Sequence, residues 1–185
     1  MQKKNRISTK HLVSCALLAA LSVVMARVLC FATPDGVRWS ADKFPLFLAG
    51  MLFGPVLGGI TGFVADFLGS ILQFGFNPFL CPPAILYGIF GGLMRHFIRK
   101  NPNILRLGLS YLLPIALGSI LYQSAALSYF YFEGTFWAGF VYYLGTRTIQ
   151  FSIMLVVEVA IVYLLLKTNM FTRMGLWTPG KEEKS

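Results

Sequence analysis

The stretch FPLFLAGMLFGPVLGGITGFVADFLGSILQFGF, residues 44–76, sets the topology of the whole chain. Its one charged residue is Asp66, so it reads as one long membrane span or as two. Crossing a hydrocarbon core about 30 Å thick takes about 20 apolar residues. Gly54-Pro55 is a break signal, and Pro55 suits the first turn of a new helix. The break yields a short helix ending at Phe53, roughly 15–20 Å long, and a full helix after it. A partial span of that kind is tolerable only if its backbone is buried in protein or lines a cavity.

Charge placement decides between one span and two. Further apolar runs on either side give spans of about 12–31, 42–53, 55–74, 78–97, 107–127 and 145–166. With six spans, three basic clusters fall on one side: Lys3, Lys4, Arg6 and Lys10; Arg95, Arg99, Lys100 and Arg106; and Lys167, Arg173, Lys181 and Lys184. The other side holds Arg38 and Lys43, balanced by Asp35, Asp42 and Glu133. The positive-inside rule makes the basic side cytoplasmic. Merging residues 44–76 into one span would send the second cluster outside. The expectation is an all-α, polytopic membrane protein of one domain, residues 1–185, with six transmembrane helices and both termini in the cytoplasm.

Composition agrees. Of 185 residues, 56% are hydrophobic and 12% charged, against about 25% charged in a soluble protein. Such a chain cannot build a water-soluble surface, which excludes a cytosolic enzyme and a disordered regulator. The net charge of +9 is orientation signal, so no nucleic-acid partner is implied. Cys15, Cys30 and Cys81 form no CxxC pair, which argues against a disulfide framework or a zinc site. There is no Walker motif for ATP, and no cofactor or metal is expected.

Ionisable residues inside a membrane are expensive and mark function by default. Four lie within the spans: Arg27, Asp66, Arg147 and Glu158. At 1.5 Å per residue, Arg27 stands about 22 Å from the cytoplasmic end of its helix, in the outer third. Arg147 opens the last span at its outer end. Gln123 lies at a similar level, Gln73 and Asn77 end the third span, and Trp39 and Trp137 sit in the adjoining outer loops. This convergence describes a pocket open to the outside, lined by cations, amides and aromatic rings. The plain alternative is that the arginines snorkel to the interface and touch nothing. Asp66 lies near the midplane on a face running Gly58, Gly62, Asp66, Gly69, Gln73, where it either locks helix packing or meets a ligand. Glu158, deeper, reads as structural or as facing a partner subunit. Ala16 and Ala20 form a small-xxx-small stripe, extended by Ser22 and Ala26, that permits close helix contact.

Three features resemble the S components of energy-coupling factor (ECF) transporters, the vitamin-binding subunits of these importers. They are the Ala16-x-x-x-Ala20 stripe on a first helix preceded by basic residues, the block from Phe53-Gly54-Pro55 through Gly58, Gly62 and Ala65-Asp66 to Gly69, and the six-helix plan. Within that family the folate-specific type is the nearest likeness, through Arg27, Arg38 and the Arg147-x-x-Gln150 stretch. The resemblance implies a multi-pass protein of a bacterial plasma membrane that binds a vitamin from outside. It implies docking through Ala16 and Ala20 on a membrane coupling subunit served by two cytoplasmic ATPases, and outer loops at residues 32–43, 73–83 and 128–139 closing the pocket. Arg27, Arg38 and Arg147 suit the two carboxylates of folate. Gln73, Asn77, Gln123 and Gln150 suit amide edges, and Trp39, Trp137 and Tyr142 suit a flat pterin. The loop from Gln73 to Pro83 lacks the glycine-rich run expected of the folate type. Pantothenate or another anionic vitamin is therefore an alternative ligand, and a proton- or sodium-coupled secondary transporter is an alternative class.

Overall fold

The structure is a computed structural model that describes residues 9–28, 30–32, 38–72, 78–100, 103–168 and 170–176. Helix α1 spans Thr9–Val28. A small antiparallel hairpin follows, with β1 at Phe31–Ala32 and β2 at Arg38–Trp39, and Phe31 pairs with Trp39. Then come α2, Phe44–Phe53, and α3, Pro55–Ile71. A 3-10 turn at Pro78–Leu80 leads to α4, Pro82–Leu93, and to the short α5, Arg95–Lys100. Helix α6, Ile104–Pro114, continues through a π-helical segment, Ile115–Tyr122, into α7, Gln123–Tyr131. Helix α8 is Phe136–Lys167, and α9 is Met170–Arg173.

The architecture is all-α apart from the hairpin. Three helices are long and apolar enough to cross a bilayer: Thr9–Val28, Ile104–Tyr131 and Phe136–Lys167. Phe44–Phe53, Pro55–Ile71 and Pro78–Leu93 are shorter.

The break falls where the sequence places it. Gly54 adopts φ +99°, a conformation open to glycine and strained for other residues, and Pro55 begins α3. The short α2 is buried from Phe44 to Leu52, packed among α1, α3, α4 and α8. Ten residues cannot span the hydrocarbon, so this helix is stable because protein surrounds it. That is also why it is apolar all round and shows no amphipathic face.

Backbone contact at glycines clamps α3 to α4 and α2. A Cβ on Gly88 would collide with the Gly58 carbonyl oxygen, and one on Gly62 with the Ala84 carbonyl oxygen. Gly50 approaches Gly88 in the same way. The glycines at 58 and 62 therefore act as packing residues.

Several boundaries differ from the sequence expectation, most of all at α4 and α8. Helix α4 begins at Pro82, later than the predicted 78, because residues 78–80 take the tighter 3-10 turn. Helix α8 begins at Phe136, nine residues before the predicted 145. With α7 running to Tyr131, the predicted outer loop 128–139 contracts to four residues, 132–135. Residues 136–144 are mainly apolar and aromatic and carry no proline to stop a helix. The widened π segment follows Pro114, which has no N–H to give the preceding turn, a common cause of local rearrangement in a helix.

Candidate functional site

Contacts along the bundle fix the relative heights of the helices. The His11 and Phe53 rings lie 5.2 Å apart, so the end of α2 stands beside the start of α1. Gly92 packs on Gly54 and Pro55, bringing the end of α4 to that same level. At the other end, Ser22 Oγ donates to the Asp42 carbonyl oxygen at 2.7 Å. The Cys81 thiol donates to the Asp66 carboxylate. The N-termini of α2 and α4 thus stand level with Ser22 and Asp66. Helix α1 runs on to Val28 and α3 to Ile71, about 7–9 Å farther at 1.5 Å per residue. The two short helices leave a recess on the side predicted to be outer, with their N-termini as its floor. Asp66 meets the start of α4, where the helix dipole favours negative charge. Its Oδ2 has no hydrogen-bond partner among the described residues.

Arg147 occupies the α7–α8 side. Its Nη1 donates to Gln123 Oε1 at 3.0 Å, and its guanidinium carbon lies 5.8 Å from the centre of the Phe151 ring. Tyr143 and Tyr87 are within electrostatic range. One turn along α8, Gln150 is buried at 8% exposure. Neighbouring helices hold the pair in register. Ser128 Oγ donates to the Phe136 carbonyl oxygen at 2.6 Å, tying the end of α7 to the start of α8.

Arg27 lies elsewhere, between α1 and α3. Its Nη2 comes within 3.4 Å of the position a Cβ would take on Gly69, so the absence of a side chain at Gly69 makes room for it. Trp39 is half-buried in β2, and Arg38 precedes it opposite Ala32. Gln73 and Asn77 lie outside the described residues. Trp137 is 72% exposed and packs edge-to-face on Phe136 and Phe140. Tyr142 is 52% exposed, with its ring beside Phe132 and Tyr143. The structure therefore joins Arg147 to Gln123, with Gln150 one turn along α8, and sets Arg27 against α3 and Asp66 beside the start of α4. It leaves Trp137 and Tyr142 on an exposed face.

Several polar residues escaped the sequence reading. Tyr87 and Ser119 hydroxyls meet at 3.2 Å in the core. Asp42 and Lys43, taken as outer-loop charges, form an ion pair at 2.8 Å that is largely buried. Glu158 is 2% exposed within the chain, which overturns its reading as a partner-facing residue. On α1, Cys15, Ala19 and Ser22 form the buried face while Ala16 and Ala20 are exposed. Ser22 therefore does not extend the alanine stripe. A groove of about 400 Å³ is lined by Phe79, Tyr122, Ala125, Ala126, Tyr129 and Phe130, along one side of α7 and the end of the π segment before it. Among the described residues no cluster of three or more metal-ligating side chains occurs.

A bundle with buried partial helices and a polar recess at one end defines a membrane protein built to hold a small ligand. Residues 10–166 match the family model "ECF transporter, substrate-specific component", and the chain belongs to that family. It is similar to the folate transporter FolT of Clostridium novyi (strain NT), with 35% identity over 81 residues, 40% of this chain and 46% of that protein. That alignment spans less than half of the relative's length. Among solved structures, the chain is similar to a crystal structure of FolT bound with folic acid. The identity there is 30% and the TM-score 0.71, covering 85% of this chain and 94% of the other.

Proposed function

We propose that this chain captures folate from the outer side of the plasma membrane, as the substrate-specific component of an ECF importer. The observation that carries this reading is the likeness to the folic-acid-bound structure, which extends over 94% of that chain at 30% identity. The recess suits the ligand. The Arg147 guanidinium, oriented by Gln123, presents planar donors to a carboxylate, and such charge-assisted pairs are among the stronger hydrogen bonds. Arg27 supplies a second cation on the α1 wall. Trp39, at the mouth, offers a stacking face for a flat heterocycle.

Transport follows from assembly. The exposed Ala16 and Ala20 face of α1 docks on a membrane coupling subunit, and two ATPase subunits power release of the vitamin inside. The chain alone binds and does not pump.

The test is a titration of the purified chain in detergent, following quenching of tryptophan fluorescence by folate, thiamine, riboflavin and pantothenate. Free tryptophan corrects for absorption by the ligands. Saturable quenching by folate alone supports the assignment. A response to pantothenate and none to folate replaces the ligand. Folate uptake by the chain in vesicles without any partner subunit overturns the division of labour.

A further inference from the structure

Glu158 is a buried carboxyl with no part in the recess described so far. A charged group removed from water needs compensating partners to persist. Its neighbours are specific. The Lys43 backbone N–H is hydrogen-bonded to its carboxyl, and the charges of Lys43 and Asp42 act on it. Lys43 is the N-cap residue of α2 and makes no side-chain cap of its own. Glu158, reaching across from α8, places a carboxyl at that helix start, where the dipole favours negative charge.

The contacts continue toward the recess. Lys43 Nζ donates to Asp42 Oδ2 at 2.8 Å, and Ser40 Oγ donates to Asp42 Oδ1 at 2.6 Å. Ser40 follows Trp39, the last residue of β2. Ser22 on α1 holds the Asp42 carbonyl from the other side. An unbroken chain of polar contacts thus runs from the middle of α8 to the hairpin at the mouth of the recess. It starts on the helix that carries Arg147, eleven residues earlier. Hydrogen-bonded chains of this kind in a low-dielectric interior hold geometry more firmly than exposed ones.

We infer that Glu158 is a positioning residue that, through Lys43, Asp42 and Ser40, sets the strand bearing Trp39 against the Arg147 side of the recess. The inference rests on the reading of that recess as the substrate site, but its main test needs no ligand. Hydrogen–deuterium exchange is measured on the full chain in lipid nanodiscs, without folate, for the wild type, Glu158→Leu, Glu158→Gln and Ser40→Ala. Amides of residues 39–43 should exchange roughly tenfold faster in Glu158→Leu and in Ser40→Ala, the order expected for one buried hydrogen bond, while those of α4 keep their protection. Glu158→Gln retains an acceptor oxygen and should stay within about threefold of the wild type on the same scale. In folate binding, Ser40→Ala should raise the dissociation rate by a similar factor and leave the association rate unchanged.

Unchanged exchange at residues 39–43 in Ser40→Ala overturns the inference, even if Glu158→Leu fails to fold. So does a loss of protection spread evenly over α3 and α4, or a Glu158→Gln variant that behaves as Glu158→Leu. If the exchange results hold and no folate binding is found, the ligand assignment fails and the positioning role stands.

Discussion

Arg147 on α8 and Gln123 on α7 are joined by a 3.0 Å hydrogen bond across 24 residues of sequence. The bond holds the guanidinium plane in one orientation, which leaves its other donors available to a ligand. Arg147→Ala should weaken folate binding by about 1–3 kcal/mol, the value of a charge-assisted contact. Gln123→Ala, which removes the orienting partner only, should weaken it less. Arg147→Lys should restore little, because an ammonium is a point donor and cannot reproduce the planar fork. The fluorescence titration reads all three, and equal affinity for Arg147→Ala and the wild type would assign Arg147 to snorkelling.

That Arg147 and Gln123 stand at one level was legible in the sequence, because rise per residue converts position into height; that Arg147 lies eleven residues inside α8, and not at its outer end, was not. Nor was azimuth. Counting along a helix says nothing about which neighbour it faces, and so Arg27 and Arg147, level on paper, occupy different walls. Trp137 joins the site by height and Tyr142 as an aromatic suited to a flat ligand, and both stand on an exposed face. The π segment after Pro114 compounds the problem, since a register built on 3.6 residues per turn fails beyond it. Asp42 and Lys43 were hidden for a different reason. Two adjacent charges before a helix look like loop residues, and only the contact with Ser22 reveals that the chain has dipped into the bundle. Where two adjacent residues carry the structural decision by themselves, as at Gly54-Pro55, the sequence was sufficient.

Gly88→Ala should be severely destabilising. Its added methyl would meet the backbone carbonyl of Gly58, and backbone on both sides cannot rotate away as a side chain does. Overpacking of a core typically costs about 1–3 kcal/mol, and this position should reach the upper end or exceed it. Gly108→Ala is the control, since no atom lies within 4 Å of its Cβ position. Thermal unfolding in detergent compares the two, and a Gly88→Ala midpoint matching that of Gly108→Ala would refute the backbone clamp.

Two buried tyrosines should respond in opposite ways to loss of the hydroxyl. Tyr87 Oη meets Ser119 Oγ at 3.2 Å, whereas Tyr111 Oη is buried with no hydrogen-bond partner among the described residues. Tyr87→Phe removes a bond and leaves Ser119 without it, at a cost of about 1 kcal/mol. Tyr111→Phe removes a desolvated hydroxyl that gains nothing, so stability should hold or rise. The rings are retained in both, preserving the 4.0 Å packing of Tyr111 on Phe47. The same unfolding assay decides, and a Tyr111→Phe loss equal to that of Tyr87→Phe would mean that Tyr111 Oη has a partner in solution.

Ala16 and Ala20 share an exposed face of α1, while Cys15 and Ala19 beside them are buried against the bundle. A larger side chain at Ala16 therefore meets nothing within the chain, and Ala16→Leu should leave both folding and folate affinity unchanged. In the bilayer that face is flanked by Leu12, Val13, Leu17, Leu21 and Val24, so leucine there is no more costly to solvate in lipid than its neighbours. Its effect should appear only when another helix needs to approach closely, since small residues are what permit backbones to draw near in a membrane. Reconstitution with the coupling subunit and ATPases separates these steps: binding should match the wild type, and ATP-driven uptake should fall sharply. Intact uptake by Ala16→Leu would place the docking surface on another face of the bundle.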